Sequence, residues 1–153
     1  MLHIVLVEPE IPQNTGNISR TCAVTGAALH LVRPLGFTIT DSKLKRAGLD
    51  YWDQLTLFYH DSFEEVEQLF PTGRFFLCST HAKSSYADAR FEDGDILVFG
   101  KETAGLPKPL LERRSKDIIR IPMKPAERSL NLSNAVAVVL YEALRQCGFP
   151  GLV

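Results

Sequence analysis

Several things are scarce in this chain, and each scarcity closes off a class of function. The three cysteines, Cys22, Cys78 and Cys147, form no CxxC pair and leave an odd thiol. A disulfide framework is therefore not expected. The four histidines, His3, His30, His60 and His81, are scattered singly. They lack the close spacing of metal ligands, so no metal is expected. No apolar run approaches the roughly 18 residues that a membrane-spanning helix needs. Excess charge is missing too: the formal net charge is −1, which excludes a general polyanion binder. Any nucleic-acid contact must come from a local basic patch, and the candidates are Lys43, Lys45 and Arg46, or Arg113, Arg114 and Lys116. Taken alone, each cluster reads more readily as a solvated helix face. There is no GxGxxG after the first strand and no GxxxxGK[ST] anywhere, which argues against dinucleotide and P-loop sites.

What the chain does have is alternation. Hydrophobic residues make up 45% of its 153 residues and charged ones 23%, the balance of a globular domain. Strand-like apolar runs are expected at Leu2–Val7, Ala28–Val32, Leu55–Tyr59, Phe75–Ser79, Ile96–Phe99 and Ile118–Ile121. Helices are expected between them. One runs from an Asn14 or Thr15 cap to Gly26, and a short basic one spans Asp41–Gly48. Another follows a Ser62/Glu65 capping box as far as Phe70, and a short one covers Pro107–Arg113. Residues 80–94 are polar and loop-like. From Asn131 onward, Leu132, Ala135, Val136, Val139, Leu140, Ala143 and Leu144 form the stripe of a core-facing helix that Gly148 ends. Strands alternating with helices imply an α/β fold with a mainly parallel sheet, as one domain over residues 1–153. Met1-Leu2-His3-Ile4-Val5 leads straight into a strand with no basic leader, so a cytoplasmic location is expected.

Ligands of such sheets bind beyond the carboxyl ends of the strands. Three loops there concentrate polar residues and glycine. The first, after Val7, carries Asn14, Asn17 and Arg20 at three-residue spacing across a helix start, so the three are expected near one another on one side, a setting suited to an anion. The second, Phe99–Pro107, has Gly100 and Gly105, which permit tight turning and close ligand approach. The third runs from Ile121 into the last helix with Ser129, Asn131, Ser133 and Asn134, more polar groups than capping requires.

At these three loops the sequence resembles the SPOUT methyltransferases, in the branch that methylates ribose 2′-hydroxyls of RNA. The carriers are Asn14-Thr-Gly-Asn17-Ile-Ser-Arg20, then Phe99-Gly-Lys-Glu102-Thr-Ala-Gly-Leu-Pro107. The third is Ile121-Pro-Met continuing into Arg128-Ser129-Leu-Asn131-Leu-Ser133-Asn134. Pro34-Leu-Gly-Phe37 and Arg46-Ala-Gly-Leu-Asp-Tyr51 extend the likeness, which is strongest to small single-domain enzymes acting on the wobble cytidine or uridine, position 34, of tRNA. The resemblance implies a C-terminal deep trefoil knot, an obligate homodimer with each pocket near the subunit interface, S-adenosylmethionine as methyl donor and the tRNA anticodon stem-loop as partner.

By the same resemblance the donor is held around Leu77, Cys78, Gly100, Glu102, Ile121, Met123, Ser129 and Leu130. Arg20 is the catalytic arginine, with Asn14, Ser129 and Asn131 orienting the ribose. Arginine is effectively always protonated, so Arg20 is expected to clamp the neighbouring phosphate, and that phosphate or a water takes the proton. Tyr51 and Trp52 are candidates for stacking on an unpaired base. The rival readings are a 2′-O-methyltransferase of another tRNA position or of rRNA, a knotted RNA-binding protein without catalysis, and a generic Rossmann-like nucleotide binder.

Overall fold

Apolar runs of four or five residues are too short for core helices, and here they pair as strands. The computed structural model describes residues 1–38 and 49–153. Within them β1 (His3–Val7), β2 (Ala28–Val32), β3 (Leu57–His60), β4 (Phe75–Cys78), β5 (Ile96–Phe99) and β6 (Ile118–Ile119) form one sheet in the order β3-β2-β1-β5-β4-β6. Every pairing is parallel, with β1 in register from His3↔Ala28 to Val7↔Val32 on one side and from His3↔Ile96 to Leu6↔Phe99 on the other. The described α-helices are α1 (Pro12–Thr25), α2 (Phe63–Leu69), α3 (Lys108–Arg113) and α4 (Leu132–Gln146). The expected helix at 41–48 lies outside the described residues, as do Lys43, Lys45 and Arg46.

The two-residue period of the strands sorts the core into two layers. Ile4, Leu6, Leu29, Leu31, Leu97 and Phe99 face α1 through Ile18 and Cys22, and α4 through Val136, Val139, Leu140 and Ala143. Val5, Val7, Val32, Leu77, Ile96 and Val98 face the other way, toward Phe63 and Val66 of α2 and Leu110 of α3. With helices on both faces, the central strands must be apolar throughout, as parallel strands usually are.

Several element ends differ from the sequence expectation. Leu55 does not join β3, because its N–H closes a turn onto the Trp52 carbonyl. Strand β6 stops at Ile119, since Arg120 instead exchanges hydrogen bonds with the loop at Ser84 and Tyr86. Helix α1 begins at Pro12 rather than after an Asn14 or Thr15 cap, and its N-cap Ile11 offers no side-chain bond. Gly26, at φ +76°, does end it. Ser62 caps α2 by accepting from the Glu65 N–H, while the Glu65 carboxylate returns to Asp61 N at 2.9 Å, one residue short of a capping box. In the second basic cluster Lys116 and Arg113 are exposed and Arg114 is half-buried, and both arginines are engaged within the chain. Arg113 and Arg114 both pair with Glu67, and Arg114 also pairs with Asp117 and lies 4.2 Å from the Phe75 ring centre.

Strand order reverses at β1: the chain steps outward to β2 and β3, then returns to fill β5, β4 and β6 on the other side. The crevice between the ends of β1 and β5 is the topological switch point, where open α/β sheets take ligands.

On the α2 face a line of three imidazoles crosses the sheet. His3 Nδ1 lies 3.1 Å from His30 Nε2, and His30 Nδ1 lies 2.9 Å from His60 Nε2. His30 is fully buried and stacks on Phe58 with ring centres 4.7 Å apart. Each neutral imidazole has one N–H and one lone pair, so a single directed chain satisfies these contacts. Burial first, then its histidine neighbours, push His30 down to about 3, and burial lowers His3 and His60 as well. The unfolded chain takes up these protons near 6.5 and the folded chain resists them. Stability is therefore complete above that pH and falls as pH drops toward about 3. Urea midpoints measured across this window are expected to decline steeply in the wild type. In His30→Gln, which bonds both neighbours without titrating, the slope is expected to flatten by up to about 1.4 kcal/mol per pH unit. Equal slopes would show that the histidine chain does not control acid stability.

Candidate active site

Helix α1 starts in the switch-point crevice with Pro12 at its first position, where a missing N–H costs nothing. The free N–H groups just ahead of it still need acceptors. They find one far along the chain: Glu102, in the loop after β5, accepts from Glu10 N at 2.9 Å and from Ile11 N at 2.7 Å. The same carboxylate accepts from Asn14 Nδ2 at 3.2 Å. Asn14 Oδ1 in turn accepts from Asn131 Nδ2 at 3.1 Å, and Asn131 Oδ1 accepts from the N–H groups of Ser133 and Asn134 at the start of α4.

This relay has one allowed direction. An ionised carboxylate only accepts and a backbone N–H only donates, so both amides between them are oriented without choice. Each asparagine uses one of its two Nδ2 protons in the relay and keeps the other. Three loops that are distant in sequence are thereby joined at one point.

Two more contacts lock the first and second loops together. Glu10 accepts from Thr103 N at 3.1 Å and from Thr103 Oγ1 at 2.7 Å. Those bonds hold its carboxyl below the usual carboxylate range. Lys101 Nζ lies 3.5 Å from Glu8 Oε1. Glu8 itself sits at φ +55°, in the left-handed region that non-glycine residues rarely enter. The loop after β5 folds back on itself, with Gly105 N–H on the Lys101 carbonyl at 2.9 Å. A Cβ at Gly100 would stand 2.1 Å from the Gly105 carbonyl carbon, so only glycine fits there. Gly36 is also tightly packed, since its Cβ would come 2.7 Å from Glu10 Cα.

Between these loops opens a cleft of about 880 Å³. Its floor is apolar and largely buried, formed by Phe99, Leu106, Ile121, Leu132 and Ala135 around Gly100. Its rim is exposed and polar, formed by Thr80, His81, Thr103, Arg128 and Ser129. Cys78 lies at the wall, and burial pushes its thiol up to about 11, which keeps it protonated at neutral pH. An apolar slot with a few convergent polar groups is the usual form of a small-molecule site.

Asn14, Cys78, Gly100, Glu102, Ile121, Ser129, Leu130 and Asn131 all line this cleft, as does Met123. Arg20 does not line it. Asn14 is buried, whereas Asn17 and Arg20 are exposed on α1. The three therefore do not share one environment, as the sequence spacing suggests. Each three-residue step falls about 60° short of a full turn, which carries Arg20 about 120° round the helix from Asn14. The side chain of Tyr51 lies outside the described residues, and Trp52 is half-buried. Sequence reasoning missed Glu8, Glu10 and Thr103 as the loop clasp and the turn at Ser79–His81 as a cleft wall. The acidic pair around Pro9 was visible, but its partners lie more than ninety residues away. Among the described residues no group of side chains is arranged to hold a metal, and no helix is long and apolar enough to cross a membrane.

Known proteins share this fold. The family model described as SpoU rRNA Methylase matches residues 1–141. The Escherichia coli tRNA (cytidine(34)-2'-O)-methyltransferase is 48% identical over 100% of this chain and 98% of its own length. A solved structure described as giving insight into 2-OH methylation of C/U34 on tRNA superposes with a TM-score of 0.90 at 52% identity, covering 95% of both chains. A more distant one, the SpoU methyltransferase AviRb of Streptomyces viridochromogenes in complex with the cofactor AdoMet, superposes at 0.83 with 27% identity. It covers 95% of this chain and 57% of that one. The match runs through all three loops that meet in the cleft, and the chain belongs to the SpoU methylase family.

Proposed function

We propose that this protein is a tRNA (cytidine/uridine-34)-2′-O-methyltransferase that uses S-adenosylmethionine to methylate the wobble ribose, at cytidine or a modified uridine. The observation that carries this reading is the convergence of three loops from separate parts of the chain on one cleft at the switch point. Relatives named for this reaction, similar over the whole chain, support the position.

The donor fits the residues present. The apolar floor of Phe99, Leu106 and Ile121 suits a flat adenine, and the backbone beside Gly100 is open to close approach because no side chain can stand there. Cys78, Gly100, Glu102, Ile121, Ser129 and Leu130 would hold it, with Glu102 acting through the loop it anchors. When bound, S-adenosylmethionine supplies a methyl group made electrophilic by its sulfonium. The remaining Nδ2 protons of Asn14 and Asn131, with the Ser129 hydroxyl, orient the ribose for attack. Arg20 grips the phosphate beside the target nucleotide, and that phosphate or a water takes the 2′-hydroxyl proton.

The reading includes a single catalytic domain over residues 1–153, a homodimer with each cleft near the subunit interface, a trefoil knot and a cytoplasmic setting. A dimer gives the exposed Arg20 a route to a cleft that it does not line in its own chain. Val138 and Tyr141, exposed on α4, suit such contact. The knot is supported by the path after edge strand β6, where the chain returns to set α4 against α1 and β5 mid-sheet.

Incubation with labelled donor and unmodified total tRNA, followed by mass-spectrometric mapping, is expected to place the methyl group on the ribose of nucleotide 34. Label at another site would favour a different 2′-O-methyltransferase, and no label a non-catalytic RNA binder. Arg20→Ala is expected to lower turnover about 100-fold or more, as loss of a transition-state contact does. Donor affinity is expected to hold, and Arg20→Lys to restore little. Near-normal turnover in Arg20→Ala would remove it from the mechanism. Glu102→Gln leaves one acceptor where three donors converge, and it is expected to cost about 1–3 kcal/mol of unfolding free energy. Donor affinity, read by calorimetry, should weaken with it, and unchanged values for both would show that the clasp is not needed.

A further inference from the structure

His81 stands at the rim of the cleft, outside every role assigned above. It sits in the loop after β4, and the turn that presents it is pinned on both sides. Its backbone N–H bonds Ser79 Oγ at 3.1 Å, and the Ala82 N–H bonds the Ser79 carbonyl at 3.3 Å. Ala82 is buried, and Arg120 donates to its carbonyl at 3.5 Å. Arg120 N–H also bonds the Ser84 carbonyl at 2.9 Å. The imidazole is exposed and lines the cleft, and among the described residues no hydrogen bond or ion pair engages the ring.

The other charged or titratable side chains lining the cleft are Cys78, Lys101, Glu102 and Arg128. Lys101 is held by Glu8, and Glu102 by its three donors. His81 and Arg128 are thus the rim groups left to meet an anion. A donor seated on the apolar floor leaves the rim to the polyanionic strand that brings the ribose. A histidine that acts as a base is ordinarily oriented by a partner on its second nitrogen. His81 has no such partner among the described residues, whereas gripping a phosphate needs only charge within reach.

We infer that His81 is a substrate-contacting residue whose imidazolium grips a phosphate of the RNA strand entering the cleft, so that tRNA affinity rises as pH falls. The inference rests on the RNA-methyltransfer reading above and adds a pH-dependent contact to it. A protonated imidazole carries the positive charge that a phosphate attracts, and a neutral one does not. The buried His3–His30–His60 chain belongs to the sheet face away from α1 and α4, and comparing variants at equal pH removes its effect on folding.

The experiment is anisotropy titration of an unmodified tRNA transcript with the full chain, at about pH 6 and about pH 8. Steady-state methyl transfer and calorimetric donor titration accompany it, for wild type, His81→Ala and His81→Lys. Wild-type binding is expected to tighten about three- to tenfold on going to the lower pH. His81→Ala is expected to lose that response, to raise KM for tRNA with little change in kcat or donor affinity, and to lower the salt slope at the acid pH by ~0.7–0.9. His81→Lys is expected to bind tightly at both pH values. If wild type and His81→Ala bind alike at both pH values, the inference is overturned. A fall in kcat that His81→Lys does not rescue would make His81 a base, and weakened donor binding would make it a cofactor residue; either also overturns it. Tight, His81-dependent binding with methyl transfer elsewhere than nucleotide 34 would leave this contact standing and sink only the positional reading. Absence of tRNA binding by the wild type would sink both.

Discussion

The Glu102 carboxylate is the constraint on which the site depends. It accepts from two backbone N–H groups at the head of α1 and from the Asn14 amide. It therefore does for α1 what an N-cap side chain normally does, but from the far side of the switch point. A local cap would steady one helix. This one also fixes the distance between the loops after β1 and β5. The asparagine relay then carries the same constraint to the start of α4, so the third loop is registered against the other two.

Around that clasp the loops tolerate little freedom. The return of Glu10 to Thr103 and of Glu8 to Lys101 makes the contact reciprocal, each loop holding the other by side chain and backbone. Gly100 permits the fold-back at a separation where any Cβ would collide with Gly105. The left-handed Glu8 is the local conformational cost. A rigid frame of this kind suits a reaction in which the protein chiefly positions two partners and lets the donor carry the chemistry.

Charge is distributed to the same end. The Arg113/Arg114 pair is engaged by Glu67, Asp117 and the Phe75 ring. The cleft instead has an apolar floor and a thin cationic rim. On the opposite face of the sheet, the histidines put a polar chain into an apolar layer without lining the cleft.

By itself the sequence determined the elements and the chemistry of the loops. Ala28–Val32 and Ile96–Phe99 are strands with the bounds their apolar runs suggest, and the 132–144 stripe is the helix that faces the core. These are local properties, set by period and burial. Asn14, Gly100, Ser129 and Asn131 stood out as polar or glycine positions in loops at strand ends, whereas Glu102 was marked only by the family resemblance. Only the tertiary structure decided what they do to one another. No local rule says that the cap of α1 lies ninety residues downstream, that Arg20 does not line the cleft that Asn14 lines, or that Arg113 and Arg114 converge on Glu67. Each depends on which loops the strand order brings together, and hydrogen-bond partners chosen across a switch point leave no periodic trace in the chain.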